Sequence, residues 1–145
     1  ATIGHFYRRQ FSFGILDLTL HTRTHSSGTE DTLQLANQVL GEVFYPMPEN
    51  TTFVTYFGHL MGYDAGYYGY AWADVIAADM ATVFESAPDG YFDIPAGRRL
   101  RREIYEPGDS RDVNISIREF LGRPPQNGPF LKELGIEAAP AAGGA

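Results

Sequence analysis

The chain has 145 residues, 43% of them hydrophobic and 14% aromatic, so it can bury a real core and is too apolar for a disordered polypeptide. A formal net charge of −7 argues against nucleic acid or an anionic membrane as the main partner, because phosphate binding needs a basic surface. With no cysteine, the sequence offers no disulfide, no thiolate metal site and no cysteine nucleophile. No apolar run approaches a membrane span and no signal peptide opens the sequence, which makes a cytoplasmic location the expectation.

The opening, "ATIGHFYRRQFSFGILDLTLHT", reads as sequence from the middle of a domain. Tyr7, Phe11 and Leu18, and likewise Phe6, Phe13 and Leu20, recur at helical rather than strand spacing, which predicts a first helix. It ends in "HTRTH", with His21 and His25 one helical turn apart. That is a metal-ligand spacing, but Thr22 stands where a zinc peptidase carries its glutamate base and no third ligand follows. The plainer expectation is two basic side chains offsetting a helix C-terminus, with no metal held.

"SSGTED" breaks the first helix, Thr29 or Thr32 caps the next, and "TLQLANQVLGEVF" forms it with Leu33, Leu35, Ala36, Val39, Leu40 and Val43 on one stripe. "YPMPENTT" interrupts it and leads to "FGHLMGYDAGYYGYAWADV". Here Asp64 is the expected N-cap of a long helix through "ADVIAADMATVFE", which would put Tyr63, Tyr67 and Tyr70 on one face and turn Tyr68 and Trp72 toward packing. "SAPDGYFDIPAG" reads as a loop and "PAGRRLRREIY" as a short helix stopped by Pro107 and Gly108. "ISIREFLG" and "PFLKELGI" read as two last short helices around "RPPQNGP", followed by the low-complexity tail "EAAPAAGGA". The fold class is all-α, with one domain over residues 1–136 and a tail over 137–145.

Most of this sequence reads as ordinary packing material; the tyrosine segment admits a second reading. Gly66 and Gly69 would each cost about 1 kcal/mol against alanine inside a helix, a cost that makes sense where something must approach the backbone closely. Gly58 and Gly62 add loop amides beside His59. A phenol with its pKa near 10 stays a hydrogen-bond donor at neutral pH, so several phenols, an imidazole and a glycine loop suit binding a peptide backbone or a developing oxyanion. The competing account is an aromatic helix packed between others. Arg98, Arg101 and Arg102 line one side of their helix and are expected to form a solvated, ion-paired face. Asp64, Asp74 and Asp79 form no recognisable acid–base pair, and no nucleophile elbow, phosphate loop or dinucleotide fingerprint is present.

"FGHLMGYDAGYYGYAWADVIAADM", then "GRRLRREIYEPGDSRD" and "FLGRPPQNGPFLKELGI", closely resembles the C-terminal part of the thimet oligopeptidase family of zinc metallopeptidases, which takes in oligopeptidases, dipeptidyl carboxypeptidases and the mitochondrial intermediate peptidase. The likeness runs from "YRRQFSFGILDLTLH" to about Ile136 and is most specific over residues 57–70. The resemblance implies that His59 and Tyr70 help to stabilise the oxyanion of peptide hydrolysis, and that Gly62, Tyr63 and Tyr67 contact substrate from a mobile loop. It also implies zinc, bound by a His-Glu-x-x-His helix that is absent from this chain, so that zinc would be held outside it by a missing N-terminal part or a complementary chain. Leu100, where an aromatic is common, and Asp109, in place of a glycine, depart from the family pattern. The expected activity is hydrolysis of short peptides as part of a zinc oligopeptidase; the alternatives are a non-catalytic peptide-binding module and a metal-independent hydrolase of small esters. Homo-oligomerisation through apolar surface is a further expectation.

Overall fold

The computed structural model describes residues 2–23 and 31–136. Their regular structure is helical, with no strand among the described residues, as the sequence periodicity implied. The chain divides into two compact units, Ala1–Trp72 and Ala73–Ala145.

The first unit is built on α1 (Thr2–His21) and α2 (Thr32–Val43). Leu16 of α1 meets Ala36, Val39 and Leu40 of α2 and Phe53 in one buried cluster, with Phe13 and Leu20 packed against it. The stripe read for α2 is the one that packs; on α1 the buried face runs through Leu16, while Phe6, Phe11 and Leu18 of the expected stripes are exposed. The cap of α2 differs from expectation. Asp31 caps the helix, its carboxylate accepting from the Leu33 amide at 2.9 Å, while Thr32 is already the first helical residue. Thr29 lies outside the described residues. At the other end of α2, the Arg8 Nε donates to the Val43 carbonyl at 3.0 Å, using one of the acceptors the helix leaves unpaired. The short α3 (Phe53–Tyr56) was not foreseen; four residues are too few for a period to show. It leads into a 3₁₀ turn, Gly58–Leu60.

Helix α4 (Tyr68–Glu85) starts in the first unit and runs on into the second. There follow a 3₁₀ turn Gly90–Phe92, α5 (Ile94–Leu100), a π turn Arg101–Tyr105, a 3₁₀ turn Gly108–Ser110, α6 (Val113–Leu121) and α7 (Gly128–Glu133). Asp93 caps α5 by accepting from the Ala96 amide at 2.8 Å, and Asp112 caps α6 by accepting from Asn114 at 2.8 Å. Gly122 ends α6 with φ +71°, the left-handed closure that glycine makes without strain. Ile117, Phe120 and Leu121 form the core, with Ile76, Met80, Val83, Phe84, Leu100 and Ile104 around them. The arginine face is solvated as expected: Arg101 pairs with Glu106 at 3.0 Å and Arg102 with Glu103 at 2.7 Å.

Asp79 has a partner that no spacing in the sequence revealed. It is fully buried and takes both nitrogens of the Arg123 guanidinium, at 2.5 and 2.8 Å, together with the Gln126 amide at 2.7 Å. Hydrogen bonds from Arg123 hold its carboxyl below the usual range, against the opposing effect of burial, and the Gln126 amide and the arginine charge add to them.

Candidate active-site wall

The tyrosine segment does not begin a helix at Asp64. Asp64 is exposed, α4 starts only at Tyr68, and Gly66 is not helical. The physical reason lies in α1. The buried carboxylate of Asp17 accepts from the Ala65 amide through Oδ1 and from the Tyr67 amide through Oδ2, each at 2.9 Å. Ala65 adopts φ +56°, a conformation no right-handed helix contains. The loop is therefore wrapped around a carboxylate from another element, and residue spacing within the loop could not reveal it. Tyr63 and Tyr67 precede the helix, and Tyr68 and Trp72 are exposed rather than packed.

The rings nonetheless converge. The His59 imidazole lies 4.9 Å from the Tyr67 ring, 5.5 Å from Tyr63 and 5.7 Å from Tyr70, and Tyr67 and Tyr70 are 5.1 Å apart. The Phe57 ring also joins the cluster, 6.0 Å from His59 and 5.3 Å from Tyr67. Tyr63 and Tyr70 are exposed, at 73% and 58%, so their phenols can meet a ligand. Tyr67 is half-buried, its hydroxyl donating to Gln10 Oε1 at 2.8 Å. Burial, and then the neighbouring Tyr70, push its pKa up, so it holds its proton more firmly than a free phenol. The His59 Nδ1 is buried with no hydrogen-bond partner, an orphaned polar atom at the centre of the cluster. Gly62 has φ +112°, a backbone geometry that a side chain rarely tolerates.

Sequence reasoning missed Gln10, Gly14 and Asp17. A Cβ on Gly14 would lie 3.4 Å from the Tyr68 Cα, so this glycine lets α1 run close against the start of α4. Burial alone would raise the Asp17 carboxyl, but the amides of Tyr67 and Ala65 and the His21 imidazole outweigh it and hold the carboxyl below its ordinary range. The one signal available was a lone acid inside the apolar run "FGILDLTL". His21 turns to that acid, its Nδ1 3.0 Å from Asp17 Oδ1, while His25 lies outside the described residues. Among the described residues, no three histidines, aspartates or glutamates gather in a way that could hold a metal ion.

The sequence profile of peptidase family M3 matches residues 2–136, nearly the whole chain. The chain belongs to peptidase family M3. Among family M3 relatives, the organellar oligopeptidase A of Arabidopsis thaliana, chloroplastic and mitochondrial, is 38% identical over 95% of this chain and 18% of its own length. The probable cytosolic oligopeptidase A of the same plant is 37% identical over 95% of this chain and 20% of its own. Saccharolysin of Saccharomyces cerevisiae is 36% identical over 91% of this chain and 19% of its own. The chain thus spans about a fifth of the length of these curated relatives, one of which is named organellar and another cytosolic. No helix among the described residues is long and apolar enough to cross a membrane.

Proposed function

We propose that the chain supplies the substrate-binding and oxyanion-stabilising wall of an oligopeptidase acting on short peptides, with zinc and its ligands coming from a complementary part of the enzyme. The observation that carries this reading is the gathering of Tyr63, Tyr67 and Tyr70 around one imidazole in a chain of family M3. Peptide hydrolysis develops negative charge on the carbonyl oxygen, and donors already in place stabilise it without reorganising at the moment of reaction. Tyr70 donates its phenolic proton to that oxygen. His59 keeps its proton on Nε2 and donates there, leaving a bare lone pair at the orphaned Nδ1 among the rings. Tyr63, on the exposed loop beyond Gly62, hydrogen-bonds the substrate backbone. Tyr67, its hydroxyl proton already given to Gln10, faces the substrate as an acceptor and buttresses the two donors with its ring. Zinc, held by ligands outside these residues, would supply the Lewis acid and the activated water.

The test is complementation. Mixed with a polypeptide carrying the His-Glu-x-x-His helix of an M3 peptidase, the chain is expected to yield zinc-dependent cleavage of a short fluorogenic peptide. Tyr70→Phe and His59→Ala should each lower kcat by about 10²-fold, the usual effect of losing one oxyanion donor. If every such mixture stays inert, or if both variants cleave as fast as the parent, the reading is wrong. Peptide binding that ignores chelators and never leads to turnover would favour the non-catalytic module instead.

A further inference from the structure

Four residues on one stripe of α1 meet the tyrosine loop: Gln10, Phe13, Gly14 and Asp17 recur at intervals of three and four, the spacing of a single helical face. Gln10 accepts from the Tyr67 hydroxyl, the Phe13 ring meets the Tyr67 ring edge to face at 5.6 Å, Gly14 admits the Tyr68 backbone, and Asp17 takes the Ala65 and Tyr67 amides. We infer that Gln10 and Asp17 are positioning residues: from two points on this stripe they fix the backbone and the ring of Tyr67, and through that ring they set where His59 and Tyr70 stand.

The two grips control different freedoms. Within the loop Asp17 binds main-chain groups only, so it fixes the path of the loop but leaves the Tyr67 side chain free to turn. Gln10 binds the hydroxyl at the far end of that side chain and so sets the ring's tilt. Gln10 and Asp17 are seven residues apart, about 10 Å along a helix of 1.5 Å rise, a rigid baseline for both. The Tyr67 ring is the shared neighbour of the proposed donors, 4.9 Å from His59 and 5.1 Å from Tyr70. A change in its tilt moves both. Among the described residues, the His59 Nδ1 has no hydrogen bond of its own to hold the imidazole, so ring packing must do so. The functional weight of this arrangement rests on the oxyanion reading above; the arrangement itself can be tested without turnover.

The experiment uses the isotopically labelled chain and three variants. Asp17→Asn keeps the size of the side chain but sets an amide NH₂ against one of two backbone donors. Gln10→Leu removes the acceptor for Tyr67, and Gln10→Glu keeps it. Hydrogen exchange at the Ala65 and Tyr67 amides of Asp17→Asn is expected to quicken about tenfold or more relative to the Leu40 amide in α2, since a buried donor without its acceptor opens more readily. Gln10→Leu should move the His59 and Tyr70 ring resonances while leaving Leu40 exchange and the melting temperature in place, and Gln10→Glu should return those resonances to their parental positions. The inference is overturned if Gln10→Leu leaves both rings unmoved, if Gln10→Glu fails to restore them, or if Asp17→Asn quickens Leu40 as much as Ala65 and Tyr67. Should Asp17→Asn not fold, the two Gln10 variants decide alone. No readout is catalytic, so an inert complementation mixture would count against the proposed function and leave this inference untouched.

Discussion

Asp17 and Asp79 are both fully buried carboxylates, one in each compact unit, and they serve unlike purposes. Asp79 faces a guanidinium that is charged at every relevant pH, in a two-pronged pair with little freedom. Asp17 faces two neutral backbone amides and one imidazole, and what it holds in place is a loop bearing candidate functional groups. A buried charge met by an opposite charge locks a turn to a helix. A buried charge met by amides dictates a backbone path, which neither the helix period nor the loop's own composition would choose.

That contrast can be broken most forcefully at Asp79. Asp79→Ala strands a partly buried guanidinium and the Gln126 amide, and should cost about 3 kcal/mol, the lower end for breaking a buried pair because Arg123 keeps some contact with water. Denaturant unfolding followed by a probe within residues 73–145 measures it; a cost below about 1 kcal/mol would mean the pair contributes little.

Acid is the next test. Both carboxyls are held below their ordinary range when folded, so the stability they contribute is complete above the unfolded carboxyl pKa of about 3.9 and is lost as pH falls through the folded values. Thermal midpoints should stay level from about pH 7 to pH 5 and drop below about pH 4. Asp17→Asn should blunt that drop for probes in the first unit and leave it intact in the second. An identical drop in both units of the variant would mean that Asp17 contributes nothing particular to the first unit.

Gly62 gives the smallest expected effect and the sharpest localisation. At φ +112° an alanine is strained by about 1–3 kcal/mol, but Gly62 is exposed and open space surrounds its missing Cβ, so the loop can shift and the lower figure is expected. Gly62→Ala should therefore lower the melting temperature slightly and alter peptide binding more than stability, as read by calorimetry of each.

How legible was this in the sequence? The helices α1, α2, α4, α6 and α7 were, because each carries an apolar stripe at helical spacing or a clear stop signal. The convergence of His59 with three tyrosines was expected from their density, but by the wrong geometry. A helix face from Asp64 was the local solution, and Asp17, 48 residues away from Ala65, imposed another. Thr32 lost the capping role to Asp31 because a one-residue shift cannot be read from a stretch where three neighbouring side chains can all cap. Asp79 was passed over for a related reason: Arg123 lies 44 residues on, beyond any spacing rule.

Ala65 carries a consequence for how the loop behaves. Its positive φ would suit glycine without penalty, whereas alanine there gives up about 1–2 kcal/mol. In exchange, the methyl group narrows the range of shapes the unfolded segment can sample. Between Gly62 and Gly66, then, stands a stiffener, so a segment spelled like slack rope behaves more like a bent spring. A D-alanine introduced there by chemical ligation would keep the stiffness and release the stored tension.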